Sequence, residues 1–174
     1  MASPRIDKKA SELLSRAGQS SMPVDPAKLA DYLGIEVRLE QFEGDVSGLL
    51  LRQPDRTIIA INKADAPVRR RFTISHELGH FVLKHQGEIF VDHSTINRRD
   101  GRSSAAIDKQ EIEANAFAAA LLMPAEWVVA QAEALFDAGV DSSDVVAQLA
   151  QRFEVSQNAM NFRLVNLGLI HPPN

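Results

Sequence analysis

RRRFTISHELGHFVLKH, which runs from Arg69 to His85, is the most informative part of this 174-residue chain. Pro67 precedes it at a position typical of a first helical turn, and the apolar spacing predicts a helix from Val68 to about Lys84. Apolar residues fall on more than one side of this helix. We therefore expect a central helix, around which the rest of the fold is built.

The segment HELGH places His76 and His80 four residues apart. On a helix, side chains at i and i+4 project from one face about 5 to 6 Å apart, so both imidazoles can bind one metal ion. Glu77 lies between them in sequence, where its carboxylate flanks the metal and can act as a base. The pattern predicts a zinc site, with His76 and His80 as ligands and Glu77 as the catalytic residue.

A catalytic zinc site needs a third protein ligand, and without cysteine in the chain this ligand must be His, Glu or Asp. A second helix, predicted from about Asp108 to Met123, contains EIEANAFAAALLMP. Glu111 lies on its most apolar face and therefore points inward, where metal ligation would account for a carboxylate. The apolar residues of that face are Ala114, Ala118, Leu121 and Leu122.

Three further polar residues near these motifs have competing interpretations. Asn115 lies one turn after Glu111, where it can orient a ligand by hydrogen bonding or instead bond the backbone in the core. Glu113 lies about 160° from Glu111 around the helix and is predicted to be a solvated surface charge. His85 is predicted to be exposed near the end of the motif helix.

The remaining pattern predicts an α+β domain, with a small antiparallel β-meander packed against helices and a C-terminal helical segment. Short connections between the apolar runs favour antiparallel pairing, and an extended substrate could pair with the edge formed by Val46–Gln53 or Arg56–Asn62. We predict one domain over residues 1–174. Its parts are N-terminal helices at 1–34, the meander at 35–62, active-site helices and a loop at 67–137, and C-terminal helices at 141–170.

Composition excludes several classes of protein. The absence of cysteine excludes disulfides, thiol nucleophiles and iron–sulfur clusters. Lys and Arg number 19 against 23 Asp and Glu, so the formal charge of -4 gives no overall basic field for nucleic acid. The longest apolar run, Ala116–Met123, is far shorter than the roughly 18 residues of a membrane span. With no export signal in the opening residues, we expect a cytoplasmic protein with no membrane partner.

These motifs, together with several other segments, resemble the ImmA/IrrE family of zinc metallopeptidase-like proteins. Besides RRRFTISHELGH and EIEANAFAAALLMP, the similar segments are DPAKLADYLGIEV, SGLLLR, IIAIN and FRLVNLGLI. The resemblance implies a zincin-like core with a gluzincin-like site: His76, His80 and Glu111 as zinc ligands, and Glu77 as general base or acid. Lys84 departs from the family's HELGHxxLH pattern, which often has His at this position.

The resemblance also implies a function. We expect a zinc-dependent intracellular metalloendopeptidase whose protein substrate is a DNA-binding repressor or antitoxin, in stress response or the regulation of mobile elements or toxin–antitoxin pairs. The alternative is a non-catalytic metal-binding transcriptional regulator or interaction module. Its support is a helix-turn-helix outline over Val145–Leu164, although residues 141–170 carry two arginines against three carboxylates, which disfavours direct binding to nucleic acid. The sequence leaves the oligomeric state open.

Overall fold

The computed structural model describes residues 4–93 and 105–171. These ranges contain seven helices and four strands, which confirms the predicted α+β class. In chain order the elements are α1 (Pro4–Arg16), α2 (Pro26–Tyr32), β1 (Ile35–Glu40), β2 (Val46–Arg52), β3 (Thr57–Asn62), α3 (Pro67–Val82), β4 (Ile89–His93), α4 (Ala105–Leu122), α5 (Ala125–Asp137), α6 (Ser142–Phe153) and α7 (Gln157–Asn166).

The chain divides into two compact units. One unit contains the residues up to Val24 together with those from Ala119 onward, and the other contains Asp25–Ala118. The second unit therefore carries the whole sheet, α3 and the part of α4 that includes Glu111. The single domain that we predict over the full length stays a prediction.

In the first unit, an ion pair joins the N-terminal and C-terminal helices. Arg163 of α7 is only 3% exposed, pairs with Asp7 of α1, and donates a hydrogen bond from Nε to the carbonyl of Met123 at 3.0 Å. The apolar face of α1 is buried through Ile6, Ala10, Leu13 and Leu14. Side chains cap the last two helices, since Asp141 accepts hydrogen bonds from backbone N–H groups at the start of α6 and Ser156 does so at the start of α7.

The sheet of the second unit is mixed, and this corrects the predicted antiparallel meander. Its strand order is β1-β3-β2-β4, with β1 parallel to β3 and β2 antiparallel to both of its neighbours. Five of the six residues of β3 are buried, whereas only Ile35 is buried in β1. The most apolar strand, β3, therefore takes a central position. Residues 41–45 connect β1 to β2 past β3, and they are long enough to span two strand spacings of about 4.8 Å each.

This order also moves the sheet edge available to an extended substrate. Both β2 and β3 are paired on two sides, so the edge predicted at Val46–Gln53 or Arg56–Asn62 is wrong. Among the described strands, the outer positions belong to β1 and β4. β4 follows α3 in the chain, and among the described strands it pairs only with β2.

None of the helices in the described ranges is by itself long and apolar enough to cross a membrane. Two consecutive helices, 109–122 and 125–137, pass the test of length and composition only as a bent pair.

Candidate active site

Helix α3 supplies three of the predicted site residues from a continuously buried segment. Pro67 occupies its first turn, and every residue from Thr73 to His80 is buried. His76 and His80 thus project from a helix that is enclosed on all sides, as its two apolar stripes predict. The helix backbone fixes their spacing.

The structure brings Glu111 of α4 to both imidazoles. The Nε2 atoms of His76 and His80 lie 3.0 Å apart. Glu111 Oε2 lies 3.2 Å from His76 Nε2, and Glu111 Oε1 lies 3.3 Å from His80 Nε2. Three potential ligand atoms from two helices therefore converge, as the sequence predicts.

The spacing of these atoms fits a zinc ion. Ligands at the corners of a tetrahedron, each about 2.0 to 2.1 Å from zinc, lie about 3.3 Å from one another. The three separations, between 3.0 and 3.3 Å, are close to that value. Two imidazole nitrogens and one carboxylate also form a donor set found in catalytic zinc sites, which leave a coordination position for water or substrate.

Gly79 allows the two helices to approach closely enough for this convergence. A Cβ atom at residue 79 would lie 3.0 Å from Ala114 Cα, 3.1 Å from the Ala114 carbonyl oxygen and 3.3 Å from Phe117 Cβ. Two of these neighbours are backbone atoms, which a rotamer change cannot move. The glycine inside the HELGH segment therefore lets α4 lie against α3, with Glu111 one turn before the crossing.

Glu77 is completely buried, and neither of its carboxylate oxygens has a hydrogen-bond partner among the described residues. Burial raises the pKa of Glu77 to about 8, although the nearby His76 opposes the shift. A buried polar group without a partner costs about 1 to 3 kcal/mol, and native proteins contain few of them. The surroundings of Glu77 thus differ from those of an ordinary structural carboxylate.

Glu111 has the opposite electrostatic character. Partial burial alone would raise its pKa, but hydrogen bonds with His76 and His80 outweigh this and lower the pKa of Glu111 to about 2. Burial lowers the pKa of His80, which favours the neutral imidazole that metal binding requires. The cluster therefore combines an ionised carboxylate with a neutral imidazole.

Asn115 contacts the metal-site cluster through His76. Its Oδ1 lies 3.0 Å from His76 Nδ1, although Asn115 as a whole is exposed. Of the two predicted alternatives, the contact with a histidine is the one observed. Because an amide oxygen only accepts, Nδ1 carries the proton in this contact and the lone pair of His76 lies on Nε2, the atom that faces Glu111.

His85 and Glu113 both differ from their predictions. His85 is not exposed but 5% accessible, and its Nδ1 lies 3.0 Å from His80 Nδ1. Glu113 is not a solvated surface charge, because its side chain is only 22% exposed and its Oε2 lies 3.2 Å from His85 Nε2. Helical periodicity could not reveal either contact, since α3 ends at Val82 and the following turn redirects the chain.

Known proteins resemble this chain in both sequence and fold. The IrrE N-terminal-like domain of peptidase family M78 matches residues 30–165. An immunity region protein of Bacillus phage phi105 is 31% identical over 137 residues, which cover 76% of this chain and 81% of the phage protein. Radiation response metalloprotease IrrE of Deinococcus radiodurans is 33% identical over 112 residues, which cover 64% of this chain and 31% of that protein.

The fold also resembles a solved structure, that of a Mycobacterium tuberculosis transcriptional regulator, with a TM-score of 0.62 at 20% sequence identity. The superposition covers 99% of this chain and 49% of the regulator. At this identity the superposition supports the fold alone. The chain spans about a third of the Deinococcus relative but most of the phage protein. The domain match over residues 30–165 and the similarity to the phage protein show that the chain belongs to the IrrE N-terminal-like family of metallopeptidases.

Proposed function

We propose that this protein is a zinc-dependent metalloendopeptidase that hydrolyses a peptide bond in a regulatory protein. His76, His80 and Glu111 would hold the zinc ion, Asn115 would orient His76, and Glu77 would transfer protons. The family supports a metallopeptidase, and the three converging ligand atoms support a metal site in this chain.

The observation that carries the proposal is the buried, unpartnered carboxyl group of Glu77 beside the three ligand side chains. A role in stability does not explain it, because burial without a partner destabilises the fold. A role in proton transfer does, because a general base needs a carboxylate whose oxygens are not already engaged.

Zinc at this site would act as a Lewis acid, polarising the attacking water and the scissile carbonyl. Glu77 would take a proton from that water onto a carboxylate oxygen as the water oxygen bonds to the carbonyl carbon. Glu77 would then give the proton to the amine nitrogen as the C–N bond breaks. A carboxyl group whose pKa lies near neutrality can perform both transfers at physiological pH.

The outer strand β4 gives an extended substrate a place to bind beside the ligands. The ring of Phe90 on this strand lies 4.3 Å, centroid to centroid, from the ring of His80. Ile89 and Val91 alternate with Phe90 and are 61% and 44% exposed. A substrate strand that pairs with the side of β4 where no described strand lies would run past the ligand cluster, and its side chains would lie next to Ile89 and Val91.

The names of two relatives bear on the substrate class. One is named for an immunity region of a phage and another for a radiation response. We propose that this chain cleaves a DNA-binding repressor or antitoxin that controls a comparable response, and that its gene lies near that of the protease. Cleavage beside β4 would require an exposed, extended segment in such a partner.

The alternative, a regulator that binds DNA itself, rests on helices α6 and α7 and the turn at Glu154 between them. Of the two arginines in this region, Arg163 is buried against Asp7, and Arg152 donates a hydrogen bond to Gln131. Groove binding normally requires several cations that reach phosphates. A gel shift that weakens with added salt would favour the alternative, and its absence at low salt would remove it.

The proposal can be tested by measuring zinc content and cleavage of the neighbouring repressor. Variants are Glu77→Gln, His80→Ala and Glu111→Ala, with Glu43→Gln at an exposed turn as the matched control. We expect Glu77→Gln to keep zinc and lose about 10²- to 10⁴-fold in cleavage rate. The two ligand variants should lose zinc, and Glu43→Gln should behave as wild type.

Three results would count against this function. Stoichiometric zinc in Glu111→Ala would reassign the third ligand. Full cleavage by Glu77→Gln would remove the proposed proton-transfer role. If the wild type bound the repressor without cleaving it, the chain would instead be a metal-binding interaction module.

A further inference from the structure

We propose that His85 and Glu113 are positioning residues that orient His80 and strengthen it as a metal ligand, an inference that rests on the proposed zinc site. They form a chain of contacts, from Glu113 Oε2 to His85 Nε2 at 3.2 Å and from His85 Nδ1 to His80 Nδ1 at 3.0 Å. The far nitrogen of His80, Nε2, is the atom that faces Glu111.

The end of α3 brings His85 back onto His80. Lys84 adopts a left-handed conformation with φ of 58°. Its N–H donates to the carbonyl of Phe81, and the N–H of His85 donates to the carbonyl of His80. This is the hydrogen-bond pattern of a Schellman motif, in which the residue after the left-handed position contacts the residue five positions earlier. Here that contact joins two imidazoles.

The backbone around this contact is also held in place. Arg52 donates from Nη2 to the carbonyl of His80 at 2.7 Å and from Nη1 to the carbonyl of His85 at 2.6 Å. Phe90 packs against the ring of His80 from β4. The backbones of His80 and His85 and one face of the His80 ring are therefore held in place without a metal. The contact between the two imidazoles is built into the fold.

The order of donors and acceptors along the chain is determined at both ends. A metal on His80 Nε2 requires the proton of that ring on Nδ1, which must then donate to His85 Nδ1. His85 consequently carries its proton on Nε2 and donates it to the carboxylate of Glu113. A carboxylate at the end of such a chain fixes the tautomer and makes the ligand more basic.

The two metal-site histidines are therefore supported differently. His76 contacts the neutral amide of Asn115, whereas His80 is connected through a second imidazole to an anion. Both arrangements fix a tautomer, but only the second places a negative charge behind the ligand. We expect His80 to depend on residues beyond its immediate neighbour, and His76 not to.

The test measures zinc affinity by competition with a chromophoric chelator for the full-length wild type and variants. His85→Leu removes both hydrogen bonds, Glu113→Leu removes the acceptor, and His85→Gln keeps an acceptor and a donor. We expect the two leucine variants to lose about 10- to 100-fold in zinc affinity. His85→Gln should recover most of that loss, and the exposed neighbour Gln86→Ala, as control, should lose none.

A second readout follows the hydrogen bond itself. In zinc-loaded, ¹⁵N-labelled wild type, NMR should show a downfield imidazole proton on His80 Nδ1 with scalar coupling across the bond to His85 Nδ1. Glu113→Leu should keep this coupling but shift the proton, and His85→Leu should abolish it. If the wild type binds zinc while both leucine variants bind it as tightly, or if the coupling is absent, His85 and Glu113 are not positioning residues.

Failure of the proposed zinc site would look different, because neither the wild type nor any variant would then bind zinc. Failure of the proposed cleavage alone would leave zinc binding, and the comparison between variants, intact. Metal-free unfolding temperatures control for folding of each variant. If His85→Leu does not fold, the more exposed Glu113→Leu carries the affinity test alone.

Discussion

Arg163 and Glu77 are both buried, but Arg163 donates hydrogen bonds to two acceptors, whereas Glu77 has no hydrogen-bond partner in the described ranges. Arg163 lies in the first unit and Glu77 in the second. A buried ionisable group with good partners holds elements together, whereas native folds contain few without partners, and a functional role is one explanation for such a group. The comparison separates residues that stabilise this protein from residues that we propose act on substrate.

The largest expected effect on stability is that of Arg163→Met in the first unit. The substitution leaves the Asp7 carboxylate and the Met123 carbonyl without their partner, and we expect the free energy of unfolding to fall by about 3 kcal/mol. Urea denaturation would measure this change. Adding Asp7→Leu should restore part of the loss, because the unpaired charge is then gone. A loss below about 0.5 kcal/mol, typical of surface pairs, would contradict the assigned role.

In the second unit, Gly79→Ala should disturb packing and the metal site together. The new methyl group would meet the backbone of Ala114 at about 3.0 Å, so α4 must shift. We expect a loss of about 2 kcal/mol in stability and at least a tenfold loss in zinc affinity, since Glu111 moves with the helix. Chelator competition and denaturation measure both. A stability gain of about 1 kcal/mol, which helix propensity alone favours, would show that the close approach is not required.

The ligand cluster was within reach of sequence analysis because its geometry is mostly local. One helical turn fixes the spacing of His76 and His80, and the apolar face of α4 fixes the direction of Glu111. These inferences needed no knowledge of how distant segments pair. Their chemical roles remain proposals, although the structure brings their atoms together.

The residues that were missed depend on non-local or irregular structure. His85 was extrapolated along a helix that in fact ends with a left-handed residue at Lys84, and no periodic pattern anticipates such a turn. The prediction for Glu113 used only its position around α4, and this position does not reveal that the imidazole of His85 contacts its carboxylate. The predicted position of β1 was wrong because strand order depends on which strand is apolar enough to be buried in the middle of the sheet. Here that strand is β3, which lies between β1 and β2.

Glu77→Gln should stabilise the metal-stripped protein, in contrast to Arg163→Met. Glutamic acid ionises near pH 4.5 in the unfolded chain but near pH 8 in the fold, so the wild type loses stability as pH rises between these values. At pH 7 this difference corresponds to at most about 3 kcal/mol, and the unpaired amide of Gln offsets part of it. We expect a net gain of about 1 to 2 kcal/mol.

Thermal unfolding at pH 7 and pH 4 checks this prediction. At pH 4 the carboxyl group is neutral in both states, so the advantage of Glu77→Gln should vanish. An equal advantage at both pH values would indicate altered packing rather than removal of a carboxyl group that ionises only in the unfolded chain. A loss of stability at pH 7 would mean that Glu77 has a stabilising partner in solution.

The smallest expected effect concerns backbone strain, which occurs at one residue in each unit. Lys84 in the second unit and Glu154 in the first are non-glycine residues in the left-handed region, with φ of 58° and 53°. Glycine adopts this conformation without steric cost, so Lys84→Gly and the matched Glu154→Gly should each stabilise the protein by about 0.5 kcal/mol. Zinc affinity should stay unchanged in both, because the turn that places His85 is preserved. A selective loss of affinity in Lys84→Gly would show that the rigidity of this turn, and not only its shape, holds His85 against His80.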